Sequence, residues 1–125
     1  MMKQALIICL GLLLFTSVKA QTVDNLSAAV KMGNANQLAQ LFNSSVEIIV
    51  DGNDKVYTKS QAQMVMGDFF KKNPAIDFSI AHNSQREDSQ FLIGNYTTKN
   101  NKSFRIIFLL RNKDSKNLIH QIRIQ

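Results

Sequence analysis

The stretch SFRIIFLLR, from Ser103 to Arg111, decides the fold. Side chains alternate between two faces along a β-strand. One face of this stretch carries four apolar side chains: Phe104, Ile106, Phe108 and Leu110. The other face carries Ile107 and Leu109 between two arginines. Both faces are apolar at the centre, so the sequence predicts a strand in the middle of a sheet that is covered on both sides.

Three further strands are predicted around this one. Ile76, Phe78 and Ile80 alternate with polar residues, which is the period of a half-buried strand. Residues 90–99 predict the next strand, and Asn100-Asn101 predicts the hairpin turn that follows. Residues 118–124 predict the last strand. The polar segments 83–89 and 112–117 predict a turn and a loop, so the four strands form a meander.

Two helices are predicted at the start of the domain. Apolar residues recur at helical spacing between Val23 and Val30, and Gly33 predicts a left-handed residue that ends this helix. Asn34 with Gln37 three residues later is a capping-box pattern for a second helix.

A hairpin and a third helix follow. Asp51-Gly52-Asn53-Asp54 predicts a turn between two short strands, the second of which begins at Lys55. Thr58 with Gln61 forms another capping-box pattern, and an amphipathic stretch runs from there to Pro74, which prevents continuation. The order is therefore helix, helix, hairpin, helix and four strands, an α+β fold. One layer of helices covers only one face of a sheet, so Ile107 and Leu109 predict a homodimer through the other face.

The first twenty residues predict a secretory signal peptide. Lys3 lies in a short basic start, an apolar run extends from Ala5 to Phe15, and Val18-Lys19-Ala20 is a signal-peptidase pattern. A membrane-spanning helix needs about 20 apolar residues, so this run is too short to be a stable anchor. We expect cleavage after Ala20, a single domain over 21–125, and a periplasmic or secreted protein.

Composition excludes several classes of function. The chain has 125 residues with 15 basic and 9 acidic side chains, a net charge of +6, and its one cysteine lies in the predicted signal peptide. The mature domain therefore has no disulfide and no cysteine zinc site. Nucleic acid is a poor partner for an exported protein, although the scattered basic residues leave binding of anionic envelope polymers as one hypothesis. No phosphate loop or nucleophile motif occurs, and no cofactor is expected.

The order of elements resembles the cone-shaped α+β fold of nuclear transport factor 2 and the ketosteroid isomerases, which is also described as cystatin-like. More narrowly, the chain is similar to a group of small exported bacterial proteins of unknown function with this fold. The resemblance implies three helices packed on a curved, mostly antiparallel sheet over nearly all of residues 22–125. The features that carry it are Gly33-Asn34-Ala35, Lys59, Gln61-Ala62, Phe69-Phe70, His82, Ile93-Gly94 and Ile122-Arg123-Ile124.

The resemblance to enzymes of that superfamily allows their catalytic positions to be compared with this sequence. Their general base follows the first strand, and Ile48 stands at that position here. Leu26 stands near the position of their catalytic tyrosine, and residues 104–111 carry no carboxylate. A proton-transfer site needs its base and its oxyanion donors, so no catalytic residue is assigned.

The candidate residues of a binding pocket come from parity along the strands. His82 has the parity of Phe78, and His120 has the parity of Leu118 and Ile122, so both imidazoles are expected to face the cone. No third ligand accompanies them, so no metal site is expected. The full set of pocket candidates is His82, Phe69, Phe78, Phe108, Ile122, Tyr57 and His120.

Three hypotheses about function follow. The first is a non-catalytic exported module that binds a small apolar ligand or a partner protein in the cell envelope. The alternative is an acid–base enzyme, isomerase-like or cyclase-like, centred on His82. The third is the polymer binder that uses the basic residues.

Overall fold

The computed structural model describes residues 17–125. The predicted signal peptide lies outside the described residues up to position 16, and the first helix begins at Ser17. The helices are α1 (Ser17–Met32), α2 (Ala35–Ala39) and α3 (Lys59–Lys72). The strands are β1 (Phe42–Val50), β2 (Asn53–Thr58), β3 (Ala75–Arg86), β4 (Ser89–Thr98), β5 (Ser103–Lys113) and β6 (Lys116–Ile124).

The six strands form one open sheet in the order β2-β1-β6-β5-β4-β3. All neighbours are antiparallel except β1 and β6, which run parallel because β6 returns beside the first strand. The helices pack on one face of this curved sheet, with α1 against β3 and α3 against β1. The predicted α+β fold with three helices on a mostly antiparallel sheet is confirmed. None of these helices is long and apolar enough to cross a bilayer.

The junction between α1 and α2 follows its sequence signals. Gly33 has φ +66°, its N–H donates to the Val30 carbonyl at 3.1 Å, and the Asn34 N–H donates to the Ala29 carbonyl at 2.8 Å. This pair of bonds is the Schellman arrangement, which needs a left-handed residue. The Asn34 side chain then accepts from the Gln37 N–H at 3.0 Å and caps α2.

The start of α3 is fixed by the predicted capping box. Gln61 N–H donates to the Thr58 hydroxyl at 3.3 Å, and Thr58 N–H donates to the Gln61 side-chain oxygen at 3.2 Å. The helix ends at Lys72, two residues before Pro74, and buries Ala62, Met66 and Phe70 against the sheet.

The loop predicted over 112–117 is only a two-residue turn. Asp114 and Ser115 have φ of +53° and +64°, and both strands of the hairpin continue to this turn. Two successive residues with positive φ form the tight two-residue turn whose twist matches that of the two strands of a hairpin. The β1–β2 turn is likewise shorter than predicted: Asp51-Gly52, with φ of +49° and +79°, forms it, and Asn53 and Asp54 belong to β2.

The prediction that residues 83–89 form a turn is wrong for most of that segment. β3 continues to Arg86, with Gln85 paired to Gln90, and only Glu87 and Asp88 lie between the strands. β3 is the edge strand, and the side chains of this half are all exposed. An exposed edge segment needs no apolar alternation, so periodicity did not mark it as a strand.

Two of the irregularities in strand pairing affect the predicted histidines. In β3 the pairing shifts between Ile80 and His82, so Ala81 is the extra residue. In β6 the residues opposite Leu109 and Leu110 are Gln121 and Ile119, so His120 is the extra residue. An extra residue in a strand moves the side chains beyond it to the opposite face.

Candidate functional site

The interior of the cone is filled by the protein's own side chains. Phe108 and Ile122 are completely buried, and Phe78 is 3% exposed. Phe69 is half-buried and joins a group of aromatic rings whose centroids lie 5.2–6.4 Å from each other, a usual range for favourable ring contacts. Three of the seven pocket candidates, Phe78, Phe108 and Ile122, therefore belong to the core, and a fourth, Phe69, packs against it.

Phe78 fills the space above a glycine of the neighbouring strand. Gly94 is buried, it faces the interior between Ile80 and Ile106, and a β-carbon built on it would overlap two atoms of the Phe78 ring. Glycine is the residue that permits this close approach of a ring to the backbone. The pair closes the part of the cone that the sequence predicted as pocket wall.

Tyr96 ties the sheet to the end of α3. Its side chain is completely buried, and its hydroxyl donates to the Asn73 carbonyl at 2.5 Å. Asn73 follows the last turn of α3, and its own side chain donates to the Phe69 carbonyl at 3.1 Å. Burial raises the pKa of Tyr96. The hydroxyl proton is donated to the end of the helix. This phenol therefore stabilises the contact between β4 and α3 and does not point at a ligand.

The prediction that His82 faces the cone is wrong. Ile80 pairs with Gly94 on the inner side, but beyond the Ala81 bulge His82 pairs with Ile93. Ile93 pairs in turn with Ile107, and both lie on the face away from the helices. The His82 side chain is exposed there. One extra residue in the strand has carried the imidazole from the inner face to the outer face.

His120 also does not lie on the face that the sequence predicted, because it is itself the extra residue of a bulge in β6. Ile119, and not Leu118, shares the core face with Ile122, while Leu118 pairs with Arg111. The His120 side chain is half-buried, and its Nε2 is buried with no hydrogen-bond partner among residues 17–125. Burial, and then the charges of Arg111 and Lys113, lower the pKa of His120. These conditions favour the neutral imidazole.

The two histidines are not brought together. β5 and β4 lie between β6 and β3, which places the strands about 14 Å apart at the usual spacing. Tyr57 is separate from both: it pairs with Val46 in β1, and the Lys55 ammonium lies 5.8 Å from the centre of its ring.

The superfamily's catalytic positions hold buried apolar residues. Ile48 is 2% exposed and Leu26 is completely buried. The buried polar side chains in the described part of the chain are Gln90 and Thr98, neither of which is a carboxylic acid. No group of three metal-binding side chains occurs within residues 17–125.

The outer face of the sheet carries a block of apolar side chains on β4 and β5 and a second, smaller pair on β1 and β2. Ile93 pairs with Ile107 and Phe91 pairs with Leu109, so these side chains form one block. Phe91 is 38% exposed and the other three are half-buried in the single chain. The outer apolar strip, as the term is used below, consists of Ile49, Val56, Phe91, Ile93, Ile107 and Leu109.

Polar and charged groups of β6 separate the two parts of this strip, because Arg123 pairs with Ile49 on one side and with Ile107 on the other. The Gln121 side-chain amide donates to the Glu47 carboxylate, and Asp54 lies close to the same carboxylate. Desolvation raises the pKa of Asp54, as do the hydrogen bond and the charge of Glu47, while Arg123 acts in the opposite direction. Sequence reasoning missed this group, although Glu47 and Asp54 already have the outward parity of their strands.

A polar cleft of about 850 Å³ opens at the end of the sheet where two hairpins meet. Gln90, 4% exposed, lies in its floor. Asn117 donates to the Gln90 side-chain oxygen at 2.8 Å, and Gln90 donates to the Asn83 side-chain oxygen at 2.9 Å. A second cleft of about 640 Å³ lies beside α3, near Met32 and Met64. None of the seven predicted pocket residues lines either cleft.

Solved structures define the class of the fold. The chain is similar to a nuclear transport factor 2-like protein of unknown function from Silicibacter pomeroyi, with a TM-score of 0.64 and 12% identity over 89% of this chain and 94% of that one. That likeness shows the fold. A comparison with curated proteins found no match.

The family is defined by a closer likeness. The family profile described as Domain of unknown function (DUF4783) matches residues 23–125. A DUF4783 protein from Bacteroides ovatus has a TM-score of 0.77 and 32% identity over 80% of this chain and 90% of that one. A protein of the same family from Bacteroides fragilis has a TM-score of 0.76 and 32% identity, with 80% and 93% covered. The chain belongs to the DUF4783 family and has its nuclear transport factor 2-like fold.

Proposed function

We propose that this protein is an exported, non-catalytic binding module that acts in the cell envelope through the outer face of its sheet. Its first partner there is a second copy of the chain. The observation that carries the proposal is the outer apolar strip, which one chain leaves without cover. Burying Ile107 and Leu109 against a second copy contributes favourable free energy in proportion to the area removed from water.

The size of the strip indicates the strength of the contact. Its continuous part consists of only four side chains on β4 and β5, so each copy offers less apolar area than a stable interface needs. Stable protein interfaces bury about 800 Å² per partner. A homodimer that dissociates measurably at micromolar concentration is therefore expected.

Binding of a small apolar ligand inside the cone has less support than binding of a protein. Phe78, Tyr96 and Phe108 occupy the interior where such a ligand would lie. The acid–base alternative also lacks support, because His82 is exposed on the outer face and the buried polar side chains of the described chain include no carboxylate. The outer face remains the surface with unsatisfied apolar area.

Sedimentation of the mature protein across micromolar concentrations tests the proposal. Ile107→Lys places a charge in the middle of the strip and should give monomers at concentrations where the wild type is dimeric. Met64→Lys is the matched control, because Met64 is an exposed apolar residue on α3, on the other side of the sheet. A wild type that is monomeric throughout, or equal loss of dimer in both variants, would contradict the proposal.

Export is tested separately. Fractionation of the source cells should place the protein in the periplasm or the medium, with Gln21 as its first residue. A soluble cytoplasmic protein that retains Met1 would contradict this part of the proposal and would leave the dimer untouched.

A further inference from the structure

Gln21 is the residue that export would place at the front of the chain. The predicted cleavage after Ala20 falls inside α1, which begins at Ser17. Before cleavage the Gln21 nitrogen belongs to a peptide bond. After cleavage it is a free α-amine on the same residue as a side-chain amide. The Gln21 side chain is exposed, so no packing holds its amide away from that amine.

We propose that the exported protein carries a pyroglutamyl residue at position 21, a modification that rests on the proposed export. The α-amino nitrogen attacks the side-chain amide carbon Cδ and forms a five-membered lactam. The bond from Cδ to Nε2 breaks, and the departing nitrogen takes one proton from the amine and leaves as ammonia. The reaction is an internal amide exchange, so it needs no oxidant, reductant or second substrate.

The position of Gln21 at the start of a helix favours the lactam over the amine. Removal of Ser17–Ala20 makes Gln21 the first residue of α1, and an α-amine with a pKa of about 8 is mostly a cation at neutral pH. A cation is unfavourable at a helix N-terminus, because it lies at the positive end of the helix dipole. Cyclisation replaces this cation with a neutral amide.

The modified residue would lie away from the proposed interface. α1 packs on the helical side of the sheet, against β3, whereas the outer apolar strip lies on the opposite face. Thr22, the next residue, lines the polar cleft above Gln90. The lactam is therefore expected to leave the dimer unaffected.

Mass spectrometry of the protein purified from its source cells tests the modification. The wild-type N-terminal peptide should be one ammonia lighter than a peptide that begins with free glutamine. Gln21→Asn is the matched control, because the same amide on a side chain one carbon shorter would have to close a strained four-membered ring. The asparagine variant should keep its free amine and its full mass.

The possible results separate this inference from the export on which it rests. An N-terminus at Gln21 with full mass overturns the lactam and supports export. An N-terminus at Met1 overturns both. A synthetic peptide QTVDNL carried through the same handling should keep its ammonia, and equal cyclisation in that peptide would overturn the assignment of the lactam to the cell-derived protein.

Discussion

The ring of Phe78 occupies the space that a β-carbon on Gly94 would need. The two residues belong to neighbouring strands, and both are buried on the inner face of the sheet. Because Phe78 also contacts the rings of Tyr96 and Phe108, its position is fixed from several sides. This relationship explains why a fold with a cone-shaped interior has no open chamber at this point.

Gly94→Ala is therefore expected to destabilise the protein by about 1–3 kcal/mol, the usual cost of overpacking a core. Gly67→Ala is the matched control. Gly67 lies in α3, where a β-carbon would only reach ordinary contact with Ala35 at 3.6 Å, and alanine is favoured over glycine in a helix by about 1 kcal/mol. Urea unfolding measures both. If Gly94→Ala does not lower the free energy of unfolding, Phe78 moves aside without cost.

Tyr96→Phe should lower the free energy of unfolding by about 1–2 kcal/mol. The substitution keeps the ring but removes the hydroxyl that donates to the Asn73 carbonyl. This carbonyl then lies next to the core without the hydrogen bond from Tyr96, which is unfavourable. Thermal unfolding measures the loss. Tyr57→Phe, on a half-buried ring away from this tether, should change stability less. If the two variants behave alike, the bond to Asn73 has no role in stability.

Stability should fall as the pH is lowered through the range of His120 titration. The ordinary pKa of the imidazole is 6.5, and burial, followed by Arg111 and Lys113, lowers it in the folded protein. Between the folded and unfolded pKa values the unfolded chain binds more protons, so stability is full above about pH 6.5 and decreases below it. His120→Gln should reduce this slope in a series of unfolding experiments at different pH.

His82→Gln is the control for that series. The His82 side chain is exposed on the outer face, so its removal should leave the melting temperature almost unchanged, within the usual range of about 0.5 kcal/mol for surface substitutions. If the dependence of stability on pH persists in His120→Gln and disappears in His82→Gln, the prediction for His120 is wrong.

The carboxylate pair beside the outer apolar strip gives a local electrostatic test. Arg123 holds the pKa of Asp54 down against desolvation and the Glu47 carboxylate, so Arg123→Gln should raise the pKa of Asp54 further. Nuclear magnetic resonance titration of the Asp54 carboxyl carbon measures this change. Arg105→Gln is the control, because Arg105 is an outward arginine on β5, whereas Arg123 is on β6. It should leave the pKa of Asp54 unchanged.

Local sequence signals predicted the elements of the fold well. Gly33, Asn34, Thr58 and Pro74 act within a few residues of their own positions, so their effects on helix ends follow from the chain itself. The alternation in β5 similarly identified a central strand. The reason is that each of these signals depends on backbone chemistry or burial that the sequence shows directly.

The location of the candidate site was less predictable. Parity along a strand holds only while the pairing register is continuous, and Ala81 and His120 each interrupt it. Neither residue carries a sequence signal for a bulge, since the extra residue is defined by its partner strand and not by its own type. His82 therefore moved to the outer face, and Ile119 replaced Leu118 in the core.

The alternation along β5 has a consequence for the evolution of the family. Ile106, Phe108 and Leu110 are buried under the helices, so natural selection for folding restricts them. Ile107 and Leu109 alternate with them on the outer face, so substitutions there do not disturb the packing under the helices. Neighbouring codons of one strand should thus accumulate substitutions at two different rates, with the faster rate at the outward positions.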